Sequence, residues 1–392
     1  MPATASAGRL TPSFSRTHLR LGYVAQAECA PLVIAQRLRL GEQYGITLEL
    51  CRQPSWSALR DKLLSGELDA AQMLHGMAYG IHLGLGGQRA EMAVLMTLSQ
   101  NGQAITLSNA LAEAVTGGGS LRMKLADTPR RRVFAHTFPT GTHALWLFYW
   151  LAAQGIHPLN DVRSVTIPPA QMAESLANGE LDGYCAGEPW SMLASSAHNG
   201  MTVVTSSEIW PDHPEKALVC RLDFAQRHPD TARALIRIML EACQWLDDPA
   251  LRPQAAPWLA TPDVINQPEH LILARLLGDY GKAPLRKPAR PIRFFGGGEV
   301  NFPWLSDGLW FLSQFKRWGM TQEPASNVTV VKAVNQIALY SEAASEAGIP
   351  VPADPFRTSI LMDGQPWTGI NPEGYASSFS VRERSPVAGP RA

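Results

Sequence analysis

Leu59-Arg-Asp-Lys-Leu-Leu-Ser-Gly-Glu-Leu-Asp-Ala70 and Met172-Ala-Glu-Ser-Leu-Ala-Asn-Gly-Glu-Leu-Asp-Gly183 are one phrase written twice, about 113 residues apart. In each, an amphipathic helical stretch ends on a glycine that suits a left-handed C-cap (Gly66, Gly179), and an acidic-Leu-Asp segment leads into an apolar strand. A helix-cap-strand unit used twice predicts two lobes of the same plan. Around it, Leu19-Arg-Leu-Gly-Tyr-Val24 reads as a first strand, Pro31 to Tyr44 as the helix that follows and Ile46 to Cys51 as a second strand. Short apolar runs alternating with amphipathic helices give an α/β fold with mostly parallel sheets.

In such a fold, ligands sit beyond the carboxyl ends of the strands, where loops from both lobes converge. Two short apolar strands after polar turns, Gln103 to Ser108 and Lys216 to Cys220, are the expected hinge crossings. They divide the chain into lobe I (18–107 and 217–350) and lobe II (108–216), with a flexible arm at 1–17 and a C-terminal extension and tail at 351–392. The aromatic stretch Phe302 to Trp318 is expected to be buried in the first lobe. Asn327 to Asn335 opens a further short element.

Composition excludes several classes. The 392 residues are 45% hydrophobic and 17% charged, with 34 basic residues balancing 34 acidic ones, so no bulk charge advertises a nucleic-acid or membrane surface. The longest apolar run, Ala144 to Ala153, falls well short of the roughly 20 residues a bilayer span needs and reads as a buried helix. The first residues lack the apolar core of a secretory signal, so a cytoplasmic location is expected. Five scattered cysteines without a C-x-x-C pair read as reduced, mostly buried thiols. No nucleophile elbow, P-loop or H-E-x-x-H is present, and the histidine pairs 75/82 and 136/143 do not have a metal-ligand spacing. No enzyme activity, cofactor or metal is expected.

Several segments taken together, in order, resemble the nitrate and bicarbonate solute-binding proteins of ABC transporters. They are Cys29 to Ala35, Ser55 to Lys62, Leu83 to Gly87, Asn101 to Thr106, Gly141-Thr-His143, Gly187-Glu-Pro-Trp190, Asn301 to Ser306, Phe311 to Gly319 and Asp363-Gly-Gln. The resemblance covers about residues 18 to 380 and implies a two-lobed, periplasmic-binding-protein-like (type II) clamshell. It carries the family's anion pocket onto Trp56, Gln103, His143, Gly187 and Lys216. A planar anion with three acceptor oxygens needs convergent N–H donors and one compensating charge in a dry cleft. Trp56 and Gln103 offer donors, Lys216 the charge, and His143 sits at a helix start, where unpaired N–H groups and the dipole favour an anion.

Taken singly, each residue has a plainer reading. Trp56 suits core packing, Gln103 a solvated turn, Gly187 a bend before Glu188-Pro189, Lys216 a surface cation and His143 a capped helix start. Within the family, a basic residue at the position of Lys216 implies nitrate, whereas an acidic one implies bicarbonate with a metal cation; the neighbouring Glu215 makes the alignment there matter. With no export signal expected, the branch most similar is the NasS-type nitrate/nitrite sensor. That resemblance implies a partner, an ANTAR-class RNA-binding antiterminator (NasT-type), held without ligand and released on nitrate or nitrite binding. The alternatives are the substrate-binding component of a nitrate ABC transporter and a pyrimidine synthase of thiamine biosynthesis. The second requires a tight cysteine motif, and these cysteines are scattered.

Overall fold

The computed structural model describes residues 16–127 and 130–383. The arm expected at 1–17 and the last residues of the tail therefore lie almost entirely outside the described residues. Two five-stranded sheets carry the fold. The first contains β1 (His18–Val24), β2 (Thr47–Gln53), β3 (Ala70–Leu74), β4 (Met92–Gln100) and β10 (Pro214–Arg221), in the order β2-β1-β3-β10-β4. The second contains β5 (Gln103–Leu107), β6 (Val133–His136), β7 (Arg163–Thr166), β8 (Gly183–Gly187) and β9 (Met201–Thr205), in the order β7-β6-β8-β5-β9.

The two orders are the same plan. In each sheet three parallel strands are followed by one antiparallel strand that arrives from the other lobe: β10 pairs antiparallel with β3 and β4, and β5 with β8 and β9. The repeated phrase makes the same contacts in both lobes. The helices Trp56–Ser65 and Pro169–Ala177 are followed by Gly66 (φ 81°) and Gly179 (φ 74°), left-handed positions where a side chain would be strained. Each phrase's aspartate then takes a backbone N–H of a neighbouring strand. Asp69 accepts from Arg20 N at 2.8 Å, and Asp182 accepts from Val133 N at 2.9 Å. Both carboxylates are buried and paired with arginines, Arg16 in one lobe and Arg130 and Arg132 in the other.

The lobe boundary differs from the expected one by a few residues. Gln103 to Leu107 lies in the second sheet, opposite Gly183 to Gly187, while Pro214 to Lys216 lies in the first, beside β4. The crossings are thus the turn at 101–102 and the segment 206–213. A crossing strand belongs to the lobe whose edge satisfies its backbone, and pairing partners are not legible from one strand's composition. The second difference concerns Phe302 to Trp318. Its helix, Leu305–Arg317, is buried, but it spans both lobes: Phe311 packs edge-on to His75, and Trp310 lies 4.9 Å from Trp146 and 5.1 Å from Trp210. The extension after residue 350 straps this helix down. Arg357 pairs with Asp307 at 2.8 Å and donates to Asp212 O, and Trp367 Nε1 donates to Ser306 O at 2.9 Å. Asn327 to Asn335 is a short helix, Val328–Val334.

The lobes meet closely along the helix His75–Leu83. A Cβ on Gly80 would stand 2.2 Å from Thr140 Oγ1, and one on Gly76 2.7 Å from Thr140 O. Only glycine lets this helix lie against the loop that precedes His143. Gly80→Ala should therefore cost about 1–3 kcal/mol by overpacking. For a chain of this size that is a fall in Tm of roughly 1–4 °C. Small-angle scattering should show a larger radius of gyration, and an unchanged Tm and radius would refute the close-packed seam.

Candidate functional site

Where the carboxyl ends of the two sheets face each other, polar side chains fill the seam. Glu28 follows β1, and Trp56 opens a helix whose N-cap, Ser55, accepts from Ala58 N at 3.1 Å. Gln103 begins β5, Gly187 ends β8, His143 lies in the first turn of the helix Thr142–Ala153, and Glu215 and Lys216 begin β10. The first two and last two come from the first lobe, the others from the second. The side chains of Glu28, Trp56, Gln103, His143, Glu215 and Lys216 are fully buried.

Lys216 is the centre of the cluster. Its ammonium donates to Glu28 Oε1 at 3.1 Å and Glu215 Oε1 at 2.5 Å, and stands 5.6 Å from the Trp56 ring. Consecutive strand residues ordinarily point to opposite faces. Here the register of β10 against β4 shifts on both sides of Lys216, and this irregularity delivers Glu215 and Lys216 to one cluster. Both residues that compete in the alignment therefore reach the site.

Glu215 is gripped from several directions. Thr142 Oγ1 donates to Oε1 at 2.9 Å, Trp146 Nε1 reaches Oε2 at 3.4 Å, and His143 Nε2 lies 3.2 Å from Oε1. Burial acts to raise the pKa of this carboxyl, but the Lys216 ammonium and His143 outweigh it and hold it far below the usual range. It stays ionised. An ionised carboxylate only accepts, so the proton of His143 belongs on Nε2, and Nδ1 accepts from Thr137 Oγ1 at 2.6 Å. Burial keeps this histidine neutral against the pull of Glu215. Glu28 behaves oppositely: burial and the neighbouring Glu215 raise it to about 6 despite Lys216 and Gln103. Lys216 itself is held charged by its two carboxylates against the effect of burial.

The five residues carried over from the resemblance thus converge, in roles that differ from those expected. Trp56 keeps a free donor, since its Nε1 has no partner. Gln103 does not: both amide hydrogens are spent, on Glu28 Oε1 at 2.9 Å and Asn101 O at 2.8 Å, and its oxygen accepts from Ser206. It positions Glu28. The first turn of the His143 helix already holds an anion, the protein's own Glu215. Gly187 is glycine because a Cβ there would meet Glu28 Oε1 at 2.5 Å and Gln26 Nε2 at 2.7 Å.

Sequence reasoning missed Glu28, Gln26 and Glu215 as members of the site. Gln26 is fully buried with both amide atoms unpartnered, and Glu28 Oε2 is also unpartnered. Orphaned buried polar atoms are rare and costly, so several around one point mark the seat of something that satisfies them. The signal available was position: Gln26 and Glu28 directly follow the first strand, where this fold class builds its sites. The ligand atoms of Glu28, His143 and Glu215 lie within 4.8 Å of one another, close enough to share a cation, and the two carboxylates already share the Lys216 ammonium.

A profile of the NMT1-like family matches residues 14–260. The chain belongs to the NMT1-like family. The crystal structure of the periplasmic nitrate-binding protein NrtA from Synechocystis PCC 6803 superposes with a TM-score of 0.89 at 30% identity, over 94% of this chain and all of that one. The periplasmic-binding-protein-like clamshell expected from the resemblance is thus the observed fold, and the chain is homologous to nitrate-binding solute-binding proteins. It is 34% identical over 93% of its length to the nitrate import ATP-binding protein NrtC of Synechocystis sp. PCC 6803. It is 35% identical over 95% of its length to the bicarbonate transport ATP-binding protein CmpC of Synechococcus elongatus. The chain spans about half the length of these two relatives, 56% of each.

Removing the shared cation should be severe. Lys216→Met strands two buried carboxylates, at a cost of about 3–5 kcal/mol. Each would then titrate above its unfolded value of about 4.3, so the stability it adds is present below that value and lost as pH rises through the raised folded pKa. Urea unfolding should find the variant weakest near pH 8 and partly restored near pH 5. In the wild type, Glu215, held low, contributes above about 4.3, and Glu28 costs stability as pH rises through about 6. Equal destabilisation at both pH values would refute the paired-carboxylate account.

Proposed function

We propose that this protein captures nitrate or nitrite between its lobes, as the solute-binding unit of a nitrate ABC transporter, and acts by binding and without chemistry of its own. The observation that carries the reading is the buried seam, where a fixed ammonium, the indole N–H of Trp56 and the amide of Gln26 surround unsatisfied polar atoms inside a fold shared with a nitrate-binding protein. A small planar acceptor fits that donor set. Lys216 favours nitrate over bicarbonate, since a resident cation removes the need for a recruited one. Anion contacts made by both lobes would favour the closed form, as expected for a clamshell.

The transporter reading has more support than the sensor reading, because two of the similar proteins carry import or transport names and a third is named as a periplasmic binding protein. Sequestration of an ANTAR-class antiterminator from a cytoplasmic location has the support of the sequence resemblance alone. The two roles differ in compartment and partner. Cell fractionation together with co-purification decides between them: recovery in the cytoplasm with an antiterminator that nitrate releases would replace the transporter reading.

Calorimetric titration with nitrate, nitrite and bicarbonate tests the ligand. Nitrate or nitrite should bind and bicarbonate should not. Trp56→Ala and Gln26→Ala should each weaken binding by roughly ten- to a hundred-fold, the effect of about 1.5–3 kcal/mol for a hydrogen bond to a charged group. Lys216→Glu should abolish it. Nitrate affinity unchanged in these variants would refute the site, and bicarbonate binding alone would reassign the ligand.

A further inference from the structure

Resting on the anion reading above, we propose that the anion enters together with one proton, and that Glu28 carries it. The side chains facing this carboxylate set the charge balance. Lys216 supplies one positive charge, Glu215 one negative, and His143 is neutral between Thr137 and Glu215. The phenol of Tyr280 and the thiol of Cys29 also act on Glu28 and are neutral, both raised chiefly by burial, and next to Tyr280 the charges of Arg275 and Glu188 offset each other at 3.4 Å. With Glu28 ionised, the buried cluster of Glu28, Glu215 and Lys216 is already net negative, and a second anion would enter a dry, like-charged seam. A proton taken from solvent onto Glu28 removes one negative charge as the anion adds one.

The geometry singles out which oxygen receives the proton. Oε1 is occupied by Lys216 and Gln103, while Oε2 has no partner. An O–H formed at Oε2 turns an acceptor that would repel nitrate oxygen into a donor that serves it. A proton added to His143 gives nitrate no new donor: it would go onto Nδ1, which faces Thr137, while Nε2, 3.2 Å from Glu215 Oε1 and without a hydrogen-bond partner, already carries its hydrogen. Burial prepares the group, since its affinity for the proton is already raised to the verge of neutrality.

Titration of the full chain with sodium nitrate, from pH 5.5 to 8.5 and in buffers of different ionisation heat, reads the coupling directly. Proton uptake should approach one per nitrate near pH 8. The apparent Kd should be flat below about pH 6 and weaken by up to tenfold per pH unit above it. Glu28→Gln, the neutral isostere, should abolish the uptake and flatten the pH dependence, whereas His143→Gln, however far it weakens binding, should keep one proton taken up per nitrate bound. Infrared difference spectra give a second readout. Nitrate should bring up a protonated-carboxyl band in the wild type, a readout that stands even if Glu28→Gln fails to fold. Nitrate binding without proton uptake, or uptake that survives Glu28→Gln, overturns the proposal. No nitrate heat at any pH overturns the ligand reading beneath it.

Discussion

One ammonium group held between two buried carboxylates is the interaction on which the rest of this structure depends. Burying three charges is costly, and such a cluster persists only if nearly every lone pair and proton is met. Here the requirement reaches into four elements. Gln103 is fixed by Ser206 and Asn101 so that it can hold Glu28, Thr142 and Trp146 turn toward Glu215, and the irregular start of β10 presents two successive side chains to one place. Because Glu28 and Lys216 belong to one lobe and Gln103, Thr142 and His143 to the other, the cluster is also a clasp.

Around the clasp the seam is buried and closely fitted. Glycines 76 and 80 admit the loop that carries Thr140, and Trp146, Trp210 and Trp310 pack where the lobes join. Ala27 N donates to Glu188 O at 2.7 Å, and Trp190 Nε1 donates to Ala25 O at 2.9 Å, both across the lobes. Closure therefore has many small contributions, and the orphaned atoms of Gln26, Glu28 and Trp56 mark where a ligand would add its own. Any ligand that contacts both lobes is linked reciprocally to whatever else prefers the closed or the open form. That property suits delivery to a transporter and release of a partner equally well, which is why geometry alone favours neither.

Much was written plainly in the sequence. The duplicated phrase at 59–70 and 172–183 gave two lobes, because helix period, glycine cap and buried aspartate are local signals that each lobe needs for itself. The strands at 19–24 and 46–51 and the buried helix at 144–153 were legible for the same reason. Trp56, Gln103, His143, Gly187 and Lys216 could be singled out as a set, but only through resemblance, since none is distinctive alone. What the tertiary structure decided is which groups of that set are free. Gln103 spends its donors on Glu28 and Asn101, the helix start at His143 already faces Glu215, and a strand irregularity brings Glu215 in beside Lys216. Hydrogen-bond partners, the lobe a crossing strand joins and the charge balance of a buried cluster are properties of pairs brought together from distant parts of the chain. Periodicity and spacing record only what a residue does among its neighbours in sequence.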